Sequence, residues 1–168
     1  MQRRNFLKLG GGAAAFLALV GGGVALFHPG LEQGRLSAAG RDVFLAVARG
    51  VLDGSLPADA AQRSAALQAH LSRLDDVLFA FPPGVQDELS QLLALLAAAP
   101  GRATLAGLHV SWSAANTAQI QSALQGMRTS SLALRQQAYH ALRDLTNAAY
   151  YADARIWPLM GYPGPRAT

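Results

Sequence analysis

The side chains able to do chemistry are few and widely spaced. The chain has four histidines, His28, His70, His109 and His140. Two imidazoles four residues apart on a helix can grip one metal ion, as in an H-E-x-x-H string; no pair here has that spacing and no such string occurs. His70 and His140 are expected on polar helix faces, as exposed bystanders. Asp75-Asp76 and Asp87-Glu88 are the acidic neighbours. Adjacent helical side chains diverge by about 100°, so neither pair can work on one substrate as acid and base. There is no G-x-S-x-G elbow, no P-loop and no G-x-G-x-x-G opening a strand–helix unit. The Gly10 to Gly12 cluster lies within an apolar N-terminal run and is not a phosphate loop. Cysteine is absent, which excludes Fe–S ligation, C-x-x-C-H haem attachment, thiolate zinc sites and a cysteine nucleophile. These residues predict a chain with no catalytic, cofactor-binding or metal site of its own.

Charge does not supply a function either. The sequence pI is about 10.1, which suggests a nucleic-acid partner. However, Arg3, Arg4 and Lys8 are three of the 14 basic residues and precede every acidic one, leaving 11 against 10 in the rest. That remainder has no stripe of Lys and Arg with interleaved aromatics to follow a phosphate backbone. Nucleic acid is excluded as a partner.

The elements that must carry these residues read as helices. Half of the 168 residues are hydrophobic, 51%, and Ala and Leu dominate them. Both lose little or no rotamer freedom in a helix. Ser37 is placed to cap a helix with Val43, Phe44, Val47 and Val51 on one face. Leu56-Pro57 is expected to start a second, with Leu67, Leu71, Leu74, Leu78 and Phe81 as its apolar stripe and Arg63, His70 and Arg73 off it. Pro82-Pro83-Gly84 breaks it, and a third helix with Leu89, Leu92, Leu93 and Leu96 is expected to stop at Pro100-Gly101. A short helix and a turn around Trp112 follow. A fourth long helix starts at Asn116 or Thr117 and ends near Met127. The last starts near Ser130 or Ser131, with Leu134, Ala138, Leu142, Leu145 and Ala149 inward and Gln136, His140, Arg143 and Asn147 outward. No sustained period-two alternation marks a strand. The expected fold is all-α: one compact domain of about five helices after an N-terminal signal or anchor helix, with an extended aromatic and proline tail. The boundaries are 1–27 for the leader, 28–36 for a linker, 37–151 for the helical domain and 152–168 for the tail.

The two ends of the chain are the informative parts. A basic stretch followed by an uncharged apolar run over 9–27 has the architecture of an export signal. Arg3-Arg4-Asn5-Phe6-Leu7-Lys8 resembles the twin-arginine consensus at every position from Arg3 to Lys8. Only the preceding Ser or Thr is replaced, by Gln2. A periplasmic location is therefore expected, by way of the twin-arginine (Tat) translocase. Cleavage after Ala25 and retention of the run as an inner-membrane anchor are both open, because the run is about long enough to span a bilayer. At the other end, the segment from Tyr150 mixes aromatics with three prolines and two glycines up to Pro165. Pro158 is expected to stop any helix. Such a tail either folds back on the core or docks on another protein, since Tyr and Trp offer large contact areas with few rotatable bonds.

With these ends in view, the chain resembles the small (gamma) subunits of bacterial membrane-associated FAD dehydrogenases, the sugar, sorbitol, fructose and gluconate dehydrogenase group. The resemblance lies in the leader, the helical order and the tail residues Tyr150, Tyr151, Trp157, Gly161, Tyr162, Pro163, Gly164 and Pro165. Looser similarity runs through Trp112, Ser130, Ser131, Arg135, Tyr139 and Leu142. It implies a non-catalytic subunit that binds and stabilises a large flavoprotein of the glucose-methanol-choline type and takes it through the Tat pore. It also implies that FAD resides on that partner, that the eight tail residues form the interface, and that a haem-bearing membrane subunit can join the complex. The alternative is a free-standing periplasmic helical protein that binds a small ligand or protects the envelope.

Overall fold

The computed structural model describes residues 28–164; the leader at 1–27 and the last residues, 165–168, lie outside the described part. Helices make up most of it. They are α1 (Ala38–Val51), α2 (Ala60–Phe79), α3 (Pro83–Ala97), a short α4 (Ala99–Ala106), α5 (Thr117–Arg128) and α6 (Ala133–Tyr151). The five longer ones are those legible from the apolar spacing. Caps set several of their starts. Ser37 Oγ accepts from Gly40 N–H, and Asp59 does the same for Gln62 N–H, so α2 begins at Ala60, three residues later than Pro57 suggests. Asn116 and Gln119 form a reciprocal capping box at α5.

Helix α1 is the hub, packed by α2, α3, α5 and α6. Val43, Phe44, Ala46, Val47 and Ala48 are fully buried, so α1 is apolar over more than one face, as a central helix must be. Where α5 crosses it, a Cβ on Gly50 would lie 2.6 Å from Ile120 Cγ2. Only a glycine permits that approach.

The segment expected as a linker instead holds a tight hairpin, β1 (Leu31–Glu32) against β2 (Arg35–Leu36), with Leu31 opposite Leu36. Gln33 and Gly34 both have positive φ, 52° and 78°, the signature of a two-residue type I′ turn. Two-residue strands are too short to show alternation, which hid them in the sequence. Leu31 and Leu36 are buried, and Leu36 N–H donates to Asp75 Oδ1 at 2.8 Å. Asp75 also pairs with Arg41, while Asp76 turns outward to Arg35 at 3.6 Å. The two carboxylates diverge as helical neighbours must.

The Pro100-Gly101 stop is displaced. Helix α3 ends at Ala97, and Pro100 sits in the first turn of α4, where its missing N–H costs nothing. The axis bends by 87° between α3 and α4, and a Cβ on Gly101 would fall 2.1 Å from Leu95 O. From Arg102 to Ala106 the helix is wound as a π-turn, closed by Gly107 at φ 68°. Trp112, in the following loop, is buried and donates from Nε1 to Leu96 O at 2.7 Å. Arg49 Nη2 holds the same loop through Trp112 O and Ala115 O. Among the described residues no single helix is long and apolar enough to cross a membrane.

Candidate functional site

Helix α6 places the tail. Its apolar face buries Ala138, Leu142 and Ala149, and Tyr150 continues that face into a small cluster with Ala48, Leu52 and Leu67. The Tyr150 hydroxyl donates to Ser55 O at 3.2 Å. Its ring therefore serves the core, and of the adjacent pair Tyr150 and Tyr151 only Tyr151 presents its side chain, 46% exposed. The rings meet edge to face at 5.4 Å.

Beyond α6 the tail is not extended. It forms a 3₁₀ helix over Ala154–Met160 with Pro158 inside it. Pro158 lacks the N–H that would bond back along the helix, and the helix runs only two residues beyond it, to Met160. Asp153 caps it by accepting from Arg155 N–H at 3.1 Å. The same carboxylate receives Arg155 Nη2 at 2.7 Å and Arg73 Nη1 at 3.2 Å. The Arg155 hydrogen bond does most to hold the Asp153 carboxyl down at about 2, with Arg73 adding to it against the opposing effect of partial burial. Arg73 also donates from Nε to Ala149 O at 2.9 Å. One arginine of α2 thus fastens both the end of α6 and the start of the tail, and Ile156 packs on the Tyr150 cluster.

The remaining tail residues form a unit. Trp157 Nε1 donates to Tyr151 O at 2.8 Å, and its ring meets Tyr162 edge to face at 5.6 Å. Gly161 takes φ 73° to close the 3₁₀ helix. Gly164, at φ 94°, runs so close to Trp157 that a Cβ there would touch the indole at 3.6 Å. Trp157, Gly161, Tyr162 and Pro163 share the wall of a shallow hollow of about 230 Å³. Tyr162 is 47% exposed. Five of the eight expected interface residues are thus gathered around one indole; Tyr151 contributes its carbonyl, Tyr150 belongs to the core, and Pro165 lies outside the described residues. The export-signal residues Arg3, Arg4, Phe6, Leu7 and Lys8 lie outside them as well.

The core holds one correction. His70 is not an exposed bystander: it is 1% exposed, and neither ring nitrogen has a hydrogen-bond partner among the described residues. It follows Leu67 by three residues and precedes Leu74 by four, which places it on the apolar face that packs against α6. Burial, and then the Arg73 charge, push its pKa down to about 4, so it is neutral at pH 7. His140 is exposed on α6, as expected.

A second polar region was not legible beforehand. Asp42 of α1, Arg102 of the π-turn and Ser111 of the Trp112 loop line a half-open cleft of about 220 Å³. They come from three separate elements, so no spacing in the sequence announces them. Among the described residues no three His, Asp or Glu side chains gather as metal ligands. No family model, curated protein or solved structure matches the chain.

Proposed function

We propose that the chain is a non-catalytic small subunit that binds and stabilises a large FAD-dependent dehydrogenase and carries it through the Tat pathway to the periplasm. The observation that carries this reading is the pairing, in one chain, of the Arg3-Arg4 leader with the Tyr150-to-Pro165 tail. A signal that moves folded proteins needs a folded passenger, and a partner bearing FAD supplies one. The tail suits the attachment. Tyr151, Trp157 and Tyr162 are rigid aromatic groups on a short ordered segment, so docking them would cost little side-chain entropy. A haem-bearing membrane subunit is a further partner on this reading. FAD sits on the large subunit alone.

The test is co-expression with a candidate large flavoprotein, followed by cell fractionation. Flavin-loaded enzyme should appear in the periplasm with the intact chain and stay in the cytoplasm with Arg3→Lys/Arg4→Lys. Trp157→Ala/Tyr162→Ala should weaken co-purification of the two chains. A large subunit that reaches the periplasm equally well without this chain would sink the proposal.

A further inference from the structure

The cleft between α1, α3 and α4 carries charges that the fold leaves unused. Arg102 is 9% exposed. Its Nη1 donates to Ala97 O at 2.9 Å, at the carbonyl end of α3, but its buried Nε has no partner among the described residues. It forms no ion pair among them. An unpaired guanidinium at this depth is costly to keep. Asp42 lines the same cleft from α1 and likewise forms neither ion pair nor hydrogen bond among the described residues. The two are opposite in sign, share one hollow, and do not reach each other.

That arrangement selects a ligand chemistry. A simple anion would gain Arg102 and suffer Asp42; a simple cation would meet the reverse. A molecule with a carboxylate at one end and an ammonium close by neutralises both walls at once. The space of about 220 Å³ is below the roughly 300–1,000 Å³ of sites for drug-sized ligands, so the ligand is limited to a few heavy atoms. Also lining it are His28, whose imidazole can hydrogen-bond a carboxylate, and Ala39, Ala94, Ala97, Ala98 and buried Trp112, which suit a short apolar side chain. Arg102 also opens the π-turn, a local geometry that recurs at functional sites. We propose that this cleft binds a small zwitterion of the α-amino-acid class, its carboxylate on Arg102 and its ammonium on Asp42. The site stands whether or not the chain carries a flavoprotein.

The test is an NMR titration of the ¹⁵N-labelled full chain in detergent with L-alanine, and in parallel with acetate and methylamine, which each carry one of the two charges. L-Alanine should move the amide signals of Asp42, Ala98, Arg102 and Ser111 saturably, with an affinity at least ~10-fold above either control, the ratio that loss of one charge-assisted hydrogen bond gives. Asp42→Asn, an exposed change that leaves the core intact, should remove most of that advantage while acetate binding holds or improves. Equal affinity for alanine and acetate would overturn the proposal, as would shifts confined to other residues, no shift up to the solubility limit, or an unaltered alanine affinity in Asp42→Asn.

Discussion

Two ionisable side chains near Arg73, one in the core and one at the tail joint, are both held at low pKa for opposite reasons. His70, in the core, is driven to about 4 chiefly by burial, which disfavours the charged form. Asp153, at the tail joint, is held at about 2 chiefly because Arg155 hydrogen-bonds its charged form. The core removes a charge that it cannot solvate, whereas the joint keeps one and pairs it. The difference indicates how each region is built. The core depends on excluding water, while the tail hangs on an ion pair that water can reach, with Arg73 between the two.

The largest expected effect tests the core half of this contrast. Unfolded, His70 should titrate near 6.5, and folded near 4. Its contribution to stability is therefore complete above pH 6.5 and is lost as pH falls toward 4, because the unfolded chain takes up the proton first. A gap of that size corresponds to about 3 kcal/mol. Urea unfolding at several pH values between 7 and 4 should show the decline. His70→Leu should remove it and be about 1 kcal/mol more stable at pH 7, since two unsatisfied nitrogens leave the core. A histidine variant with an unchanged pH profile would break the comparison.

Asp75 sharpens it. This carboxylate is as buried as His70 and lies on the same helix, but it is partnered by Leu36 N–H and by Arg41. Asp75→Ala should cost about 2 kcal/mol by orphaning a buried amide and an arginine. Asp75→Asn should recover part of the loss, because its carbonyl can still accept from Leu36. Urea midpoints at pH 7 decide between these outcomes.

The same contrast explains what the sequence could and could not disclose. Apolar periodicity locates α1, α2, α3, α5 and α6, because burial of one face is a property of spacing alone. The cap at Ser37 and the box at Asn116 are equally local. His70 falls off the Leu67–Leu71–Leu74–Leu78 line, and only a buried face wider than that line includes it. The hairpin at Leu31–Leu36 is too short to signal by alternation, and its turn rests on positive φ at Gln33 and Gly34. Asp42 and Arg102 are brought together by the 87° bend after α3, which depends on how Gly101 packs on Leu95. The tail was legible in its residue types, but its 3₁₀ winding around Trp157 was not, because the contacts that fix it reach back to Arg73.

Arg73 is where the two regions can be uncoupled. Arg73→Gln removes the charge that helps hold His70 down and one of the two cations on Asp153. Global stability at pH 7 should fall by about 1 kcal/mol, with the partly exposed pair discounted for screening. The lower end of the pH-dependent decline should move upward from about 4, because His70 gains a proton more easily without that neighbour. A variant that loosened the tail but left the His70 transition in place would show that the regions are independent.

The smallest effect on stability belongs to the joint itself, and it should be read from the tail rather than from global unfolding. Asp153→Asn retains a side-chain oxygen to accept from Arg155 N–H but gives up its ion pairs with Arg73 and Arg155. The cost to the whole fold should be a few tenths of a kcal/mol, as for an exposed pair. The tail should respond more, since Trp157 is seated by the segment that Asp153 caps. Proteolysis between Asp153 and Tyr162 should therefore be faster in the variant at pH 7. In the wild type the carboxylate's contribution is present above its ordinary value near 3.8 and is lost as pH falls toward 2. Acid should thus act in two steps, weakening the core between pH 6.5 and 4 and releasing the tail only below 3.8. Trp157 fluorescence, isolated by Trp112→Phe, should report the second step alone, and His70→Leu should leave that step in place.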